Sequence, residues 1–218
     1  MAETIITYKI DKPKDALPMD RGEFYSQQIE LSKKGQDPDT AVDIVDILIF
    51  DEKGELFIQK RSDDKSHNAG MLDKSIGGHI TFGNNPDFTV MVETVQELQV
   101  PSITLRNQKD FVKAYNLLKD YLNAVAVIKH IDTRIYKLKK KINGEQVPIY
   151  NNIHLYFGIY SGSVKTVDRE AKGVLLYSLE DLEREVLEFP GMFTDDIKIL
   201  IKKYKPQIIE FIKTTKTK

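Results

Sequence analysis

The sequence predicts an α+β fold, and three observations support that prediction. Strand-like segments lie on both sides of one central helix, which is expected to begin at Pro86 and to end before Pro101. Two hairpin patterns flank this helix, and the second contains Asn143-Gly144, the strongest two-residue turn signal. Further helical segments come near the end of the chain. This order matches neither a simple βαβ alternation nor an all-β sandwich.

The first half of the chain is predicted to contain four strands and one short helix. The strand segments are rich in β-branched and apolar residues, and they are 4–10, 42–50, 55–60 and 74–80. The short helix is expected over 23–33. Asp11, Pro13 and Pro18 are expected to break the first strand, which we place at a sheet edge.

Helical spacing predicts which side of the central helix is buried. The predicted apolar stripe consists of Phe88, Val92 and Val95, widened by Val90, Met91 and Leu98. Another helix is expected over 107–122, where apolar residues recur at helical spacing. Strands are then predicted at 123–131, 135–142, 147–160 and 174–177. Ser178 and Thr194 are expected to cap the last two helices.

Composition excludes several classes of function. The 218 residues carry a net charge of -1, which gives no electrostatic case for binding nucleic acid. The absence of cysteine excludes disulfides, thiolate metal sites and cysteine nucleophiles. The first fifteen residues do not resemble a signal peptide, and no apolar run approaches the roughly 20 residues that span a bilayer. We therefore expect a soluble cytoplasmic protein with no membrane partner; its oligomeric state is open, and a homodimer is one alternative.

A glycine loop and two carboxylates form the pattern that carries chemistry. Gly77 and Gly78 let a loop pass close to an anion or a metal ion. Glu93 and Glu97 lie four residues apart, so a helix would place their carboxylates side by side. A hard divalent cation such as Mg²⁺ would relieve the repulsion between them. The alternative is a solvated helix face, which is the usual fate of such a pair.

The stretch from Gly78 to Val100 resembles the Nudix box, G-x5-E-x7-R-E-U-x-E-E-x-G-U, where U is aliphatic. Four positions match the box: Gly78, Glu93, Glu97 and Val100. Five positions depart from it: Asn84, Val92, Thr94, Gln96 and Gln99. The approach to the box is similar to the Nudix branch related to isopentenyl-diphosphate isomerase. Its matching residues are Gln59, Arg61, Ser62, Lys65, Gly70, Asp73, Ser75, Gly77, Gly78 and His79.

The resemblance covers roughly residues 41–204 and implies a domain organisation. It implies an α/β/α sandwich, in which a mixed sheet carries the loop and helix of the box. Residues 1–37 would form an N-terminal extension packed on the domain. The Nudix domain would span 38–205, with an inserted helix at 106–122. Residues 206–218 would form a basic C-terminal tail.

The resemblance also implies an activity, namely hydrolysis of a pyrophosphate bond in a small organic diphosphate. A nucleoside diphosphate linked to another moiety is the expected substrate, and Mg²⁺ or Mn²⁺ the expected cofactor. Glu97 would be the chief metal ligand and Glu93 a second ligand or a base, so both are predicted to be catalytic. Gln96 and the Gly78 carbonyl would complete the metal site. Arg61, Lys65, Gly78 and His79 would bind substrate.

Alternative interpretations of these residues and of the function remain open. Arg61 could instead pair with Asp63 or Asp64 on the surface, and His79 could be an ordinary strand-end histidine. The basic run 137–141 is expected to be a solvated hairpin edge. A binding module without turnover is the second functional hypothesis, because the box has lost polar positions. A diphosphate isomerase ranks last, because the cysteine-using branch needs a thiol.

Overall fold

The computed structural model describes residues 3–164 and 171–216, which form a mixed sheet with helices on both faces. The strands are β1 Thr4–Lys9, β2 Lys12–Asp20, β3 Thr40–Phe50, β4 Leu56–Arg61, β5 Leu72–Asp73, β6 Ile76–His79, β7 Ser102–Leu105, β8 Ala126–Ile142, β9 Glu145–Ile159 and β10 Ala171–Tyr177. The helices are α1 Arg21–Lys33, α2 Pro86–Leu98, α3 Gln108–Leu118, α4 Leu179–Glu188, α5 Asp195–Lys203 and α6 Lys205–Thr215. Short 3-10 turns lie at Lys119–Tyr121 and Pro190–Met192.

Strand β3 lies at the centre of the sheet, and every one of its residues is buried. It runs parallel to β9 and antiparallel to β1 and β6. The sheet order β10-β4-β3-β9-β8-β7 contains both parallel and antiparallel pairs. One hydrophobic core lies on the face covered by α1, α3, α5 and α6, and a second lies under α2. The prediction of an α+β fold with an α/β/α sandwich and a mixed sheet is therefore confirmed.

The long hairpin of β8 and β9 confirms the Asn-Gly turn signal. Asn143 and Gly144 both have positive φ, 50° and 86°, which a tight hairpin turn requires. The two strands predicted at 123–131 and 135–142 are one continuous strand, with an irregular register between His130 and Asp132. A bulge of this kind keeps both halves paired with β9 while it bends the strand.

Helix α2 has the predicted boundaries but a different buried face. The Asn85 side chain accepts a hydrogen bond from the Phe88 backbone N–H at 2.9 Å, and Pro86 follows at the first helical position. The predicted buried stripe is wrong in part, because three of its members are about half exposed: Phe88, Met91 and Val95. The residues buried instead are Thr89, Val90, Thr94, Glu97 and Leu98. Hydrogen bonds satisfy the polar ones: Thr89 donates to the Asn85 carbonyl, Thr94 contacts Ser102 at 2.8 Å, and Glu97 accepts from Gln59.

The N-terminal segment is part of the sheet. Strand β1 pairs with β3 on one side and with β2 on the other, so the prediction that it forms an edge is wrong. Strand β2 includes Pro13 and Pro18, which were expected to break strand structure. In the described sheet, β2 pairs on one side with β1, so an outer strand accommodates residues that lack an N–H.

The C-terminal segment packs into the core. The prediction of a tail over 206–218 is wrong as far as residue 215, because α6 occupies that stretch. Its Phe211 ring lies 5.6 Å from the rings of both Phe50 and Phe157 and 5.2 Å from that of Phe111. Phe111 belongs to α3, which lies within the helix predicted at 106–122. The inserted helix and the terminal helix therefore stabilise each other through aromatic contacts.

No helix in the described ranges is both long enough and apolar enough to cross a membrane.

Candidate active site

One cavity of about 260 Å³ collects every site residue that the sequence singled out. It opens beside β6 and α2 and is also lined by α1, the loop after β4, β8 and α5. The predicted residues that line it are Arg61, Lys65, Gly78, His79, Glu93, Gln96 and Glu97. Residues separated by up to 36 positions in the chain thus meet around one space of a size suited to a small ligand.

Gly78 packs closely against the Glu93 side chain. Strand β6 pairs Gly78 with Val45 of β3, which faces the core under α2. A Cβ atom on Gly78 would lie 2.0 Å from Glu93 Oε1 and 2.4 Å from its Cδ. A side chain at this position would therefore displace the Glu93 carboxylate. The box glycine therefore makes room for the box carboxylate.

Glu97 is buried, with 6% of its surface exposed. Its Oε2 accepts a hydrogen bond of 2.8 Å from Gln59 Nε2, which projects from β4. A buried carboxylate needs such partners, because unsatisfied charge is costly away from water. Gln59 therefore fixes the orientation of Glu97 at the pocket wall.

The donor atoms on this wall suit a hard divalent cation. Glu93 and Glu97 supply carboxylates, Gln96 supplies an amide oxygen, and Gly78 supplies a backbone carbonyl. Among the residues that the structure describes, no three His, Cys, Asp or Glu side chains are grouped as a metal site. Mg²⁺ is commonly held by one or two carboxylates together with substrate phosphates, and this set fits that mode.

A buried charge cluster that the sequence interpretation missed lies on another wall of the pocket. Lys74 Nζ lies 2.8 Å from Asp196, 3.1 Å from Asp46 and 3.5 Å from Asp73. Gly77 makes room for this amine, because a Cβ there would lie 2.4 Å from Lys74 Cε. The only signal in the sequence was the presence of aspartates in an otherwise apolar strand, at Asp43 and Asp46.

Burial and charge act in opposite directions on this cluster. Burial lowers the pKa of Lys74, but the charges of Asp196 and Asp46 raise it well above its usual value. Burial raises the pKa of Asp46 to about 7, although Lys74 opposes the shift. Burial also raises the pKa of Asp73, but Lys74 and Arg61 outweigh it and bring that pKa to about 2. The ammonium is therefore held charged by its carboxylate neighbours.

Arg61 lines the pocket but has internal partners. Its Nη1 lies 3.1 Å from Asp73 Oδ2, and its Nη2 donates to the His67 carbonyl at 3.0 Å. The alternative that Arg61 pairs with Asp63 or Asp64 is therefore wrong, and Asp63 instead contacts Lys172. Arg61 ties the loop after β4 to β5 at the pocket.

His79 takes part in a hydrogen-bond chain with Tyr25 and Lys140. Its Nε2 lies 2.9 Å from the Tyr25 hydroxyl, and Lys140 Nζ donates to the same hydroxyl at 3.3 Å. Burial, followed by the charge of Lys140, lowers the pKa of His79 well below its usual value. His79 is therefore neutral at pH 7 and shares a hydrogen bond with the Tyr25 hydroxyl through Nε2.

The prediction that the whole run 137–141 is solvated is wrong for Lys140. Only 8% of Lys140 is exposed, and it lines the pocket, whereas Lys139 and Lys141 are exposed. The period of two along β8 places Lys140 on the same face as the buried residues Leu138 and Ile142. This alternation was visible in the sequence and could have predicted that Lys140 is buried while Lys139 and Lys141 are exposed.

No family model matches the sequence, and no curated protein sequence matches it either. The chain is similar to the crystal structure of DR0079 from Deinococcus radiodurans, with 14% identity and a TM-score of 0.61. That alignment covers 92% of this chain and 98% of the other. A MutT protein from Methanosarcina mazei has 17% identity and a TM-score of 0.47, with coverages of 77% and 94%. A Nudix hydrolase from Nitrosomonas europaea has 10% identity and a TM-score of 0.47, with coverages of 77% and 90%.

The architecture around the pocket agrees with what the box implied. A mixed sheet lies between two helical layers, and a glycine-bearing strand leads through a loop into the helix that presents Glu93 and Glu97. The chain shares the overall fold of the DR0079 structure. Because one fold hosts many functions, the activity has to be argued from the side chains of the site.

The positions that depart from the Nudix box pattern lie in different environments. Asn84 is exposed in the loop before α2 and is not among the residues that line the pocket. Gln96 lines the pocket with an exposed side chain, and Val92 is half-buried on α2. The pocket therefore retains its two box glutamates and one neutral amide.

Proposed function

We propose that this Nudix-fold protein hydrolyses a pyrophosphate bond in a small organic diphosphate, with Mg²⁺ or Mn²⁺ as cofactor. A nucleoside diphosphate linked to another moiety is the substrate class we favour. The observation that carries the proposal is the convergence of Glu93, Glu97 and Gly78 on one small pocket. Lys65 and Lys140 on the pocket walls supply positive charge for an anionic ligand.

The residues divide the work between holding the cation and orienting the substrate. Glu97, fixed by Gln59, is the chief ligand, and Glu93, packed against Gly78, is a second ligand or the base that takes a proton from water. When bound, the metal would neutralise diphosphate charge and lower the pKa of the attacking water. Lys65 lines the same pocket and supports substrate binding there.

The test is release of phosphate or nucleotide from a panel of nucleoside diphosphate derivatives in the presence of Mg²⁺ or Mn²⁺. Glu97→Gln should abolish turnover, and Gly78→Ala should reduce kcat/KM about 100-fold, because the new methyl group displaces Glu93. Gly191→Ala is a matched control, since a Cβ there meets no atom within 4 Å. Absence of turnover across the panel, or full activity in Glu97→Gln, would contradict the proposal.

One observation favours a second candidate, a binding module without turnover. Helix α2 offers the pocket two carboxylates, Glu93 and Glu97, where the box pattern provides more, with Gln96 in place of a glutamate. Fewer charged ligands weaken metal binding. A module of this kind would bind the same diphosphates, and Glu93→Gln would leave that binding intact. Metal-dependent turnover that Glu93→Gln removes would exclude this candidate.

A further inference from the structure

Lys140 occupies a strand position at which the burial pattern calls for an apolar residue. Leu138 and Ile142, two residues to either side, are 1% and 4% exposed and belong to the hydrophobic core. The Lys140 side chain leaves the same face of β8, but its ammonium reaches the pocket. A charged group at such a position is destabilising unless something compensates it.

The strand around Lys140 is held on both sides by residues of other elements. The Lys139 N–H donates to Asp195 Oδ2 at 3.1 Å, and the Lys141 N–H donates to Asn68 Oδ1 at 2.8 Å. The Asn68 N–H in turn donates to the Lys141 carbonyl at 2.9 Å. These contacts fix the backbone at Lys140, so the direction in which its side chain leaves the strand is determined before any ligand arrives.

The ammonium of Lys140 lacks the compensation that other buried cations of this pocket have. Within residues 3–164 and 171–216, no carboxylate oxygen lies within 4 Å of Lys140 Nζ. Its contacts are the Tyr25 hydroxyl at 3.3 Å and the Tyr25 ring, whose centroid is 5.7 Å away. Lys74, by contrast, has three carboxylates, and Arg61 has Asp73.

Tyr25 orients the ammonium without neutralising it. The Tyr25 hydroxyl accepts from Lys140 and shares a hydrogen bond with the neutral His79 ring, so neither Tyr25 nor His79 adds a negative charge. The Tyr25 ring is itself held by His67, whose ring centroid lies 4.2 Å away. An ammonium has three donors, and one of them is used by Tyr25. Two donors therefore remain for an anion in the pocket.

We propose that Lys140, positioned by Tyr25, is a phosphate-binding residue that acts without a metal ion. It would bind a phosphate oxygen of the ligand directly, from a wall of the pocket formed by α1 and β8. The box carboxylates of α2 would meet the ligand through the divalent cation. The site then has two independent ways to hold a diphosphate, one that needs metal and one that does not. This proposal rests on the proposed function for its ligand class.

The test is calorimetric titration of the full chain with inorganic pyrophosphate in the presence of EDTA. Wild-type protein should bind, and Lys140→Met should raise the Kd about tenfold or more, as expected for a lost charge-assisted hydrogen bond. Lys140→Arg should bind more tightly than Lys140→Met, because it restores the charge. The matched control is Lys139→Met, which removes an exposed lysine from the adjacent position and should leave the Kd unchanged.

The outcomes separate this proposal from the proposed function. Unchanged pyrophosphate binding in Lys140→Met, or no binding by the wild type in EDTA, would overturn the role of Lys140. Thermal unfolding of Lys140→Met should show a melting temperature at least as high as that of the wild type, which keeps loss of binding distinct from loss of folding. If Lys140→Met loses pyrophosphate binding while no diphosphate is hydrolysed with metal, the subsite stands and the hydrolase proposal fails.

Discussion

Lys74 and Lys140 are two buried lysines of one pocket, 6% and 8% exposed, with opposite surroundings. Lys74 lies within 3.5 Å of three carboxylates, and Lys140 contacts a tyrosine hydroxyl. When carboxylates of the protein neutralise a buried cation, that cation stabilises the fold. A cation that the protein orients but does not neutralise remains available for a ligand. Charge balance, and not burial, therefore distinguishes the structural role of Lys74 from the binding role that we propose for Lys140.

The strongest test of this comparison is the effect of each lysine on stability. Lys74→Met should lower the free energy of unfolding by about 3–5 kcal/mol at pH 7, because it leaves buried carboxylates without their shared cation. Lys140→Met should be neutral or stabilising, because it replaces a buried charge with an apolar side chain at a core-facing position. Urea unfolding of both variants beside the wild type measures the difference.

Acid pH gives a second readout for the Lys74 variant. The loss of unfolding free energy in Lys74→Met should become smaller as the pH falls, because protonation of the buried carboxylates removes the repulsion between them. Asp46 should be protonated first, because burial raises its pKa to about 7 in the wild type. Equal losses of stability in Lys74→Met and Lys140→Met would show that the two lysines are not different in kind.

A smaller effect concerns the pKa of His67. Burial, followed by the charge of Lys140, lowers the pKa of His67 to about 3, so the folded protein keeps it neutral where the unfolded chain is protonated. The other cations that lower this pKa are Arg21, Arg61 and Lys65. Stability from this group is present above pH 6.5 and is lost as the pH falls, at up to about 1.4 kcal/mol per pH unit for one proton.

Lys140→Met should therefore raise the pKa of His67 and make the acid-induced loss of stability less steep. Lys139→Met, whose lysine is exposed, is the control and should leave the pKa unchanged. Imidazole chemical shifts followed by NMR from about pH 7 downward measure it directly. A His67 pKa that is the same in wild type and Lys140→Met would mean that the Lys140 charge does not reach this side of the pocket.

The sequence predicted what depends on local signals and missed what depends on distant partners. The Asn143-Gly144 turn and the boundaries of α2 follow from residues that act within a few positions of themselves. The meeting of Glu93, Glu97 and Gly78 was also anticipated, because the box pattern encodes it. Each of these features could be deduced without knowledge of the rest of the fold.

The errors share one physical cause, which is that burial of a polar residue is decided by its partners. Glu97 is buried because Gln59, 38 positions away, donates to it. Lys140 is buried because α1 brings Tyr25 to it across 115 positions. The 137–141 run was expected to be solvated, and a solvated helix face was the alternative for Glu97; no local pattern identifies the partners that bury these two side chains. Helix α6 was similarly missed, because the aromatic rings that receive Phe211 come from β3, β9 and α3.

The smallest expected effect extends the comparison from charged to apolar residues. Val90 and Val95 both belonged to the predicted stripe of α2, yet they are 0% and 51% exposed. Val90→Ala should lower the free energy of unfolding by about 2 kcal/mol, because it removes contacts in the core under α2. Val95→Ala should change it by less than about 0.5 kcal/mol. Comparable losses in urea unfolding would mean that Val95 packs against the protein and that α2 is rotated, with Glu93 and Glu97 turned away from the pocket. A clear difference between the two variants supports the orientation of α2 that directs both glutamates toward Gly78.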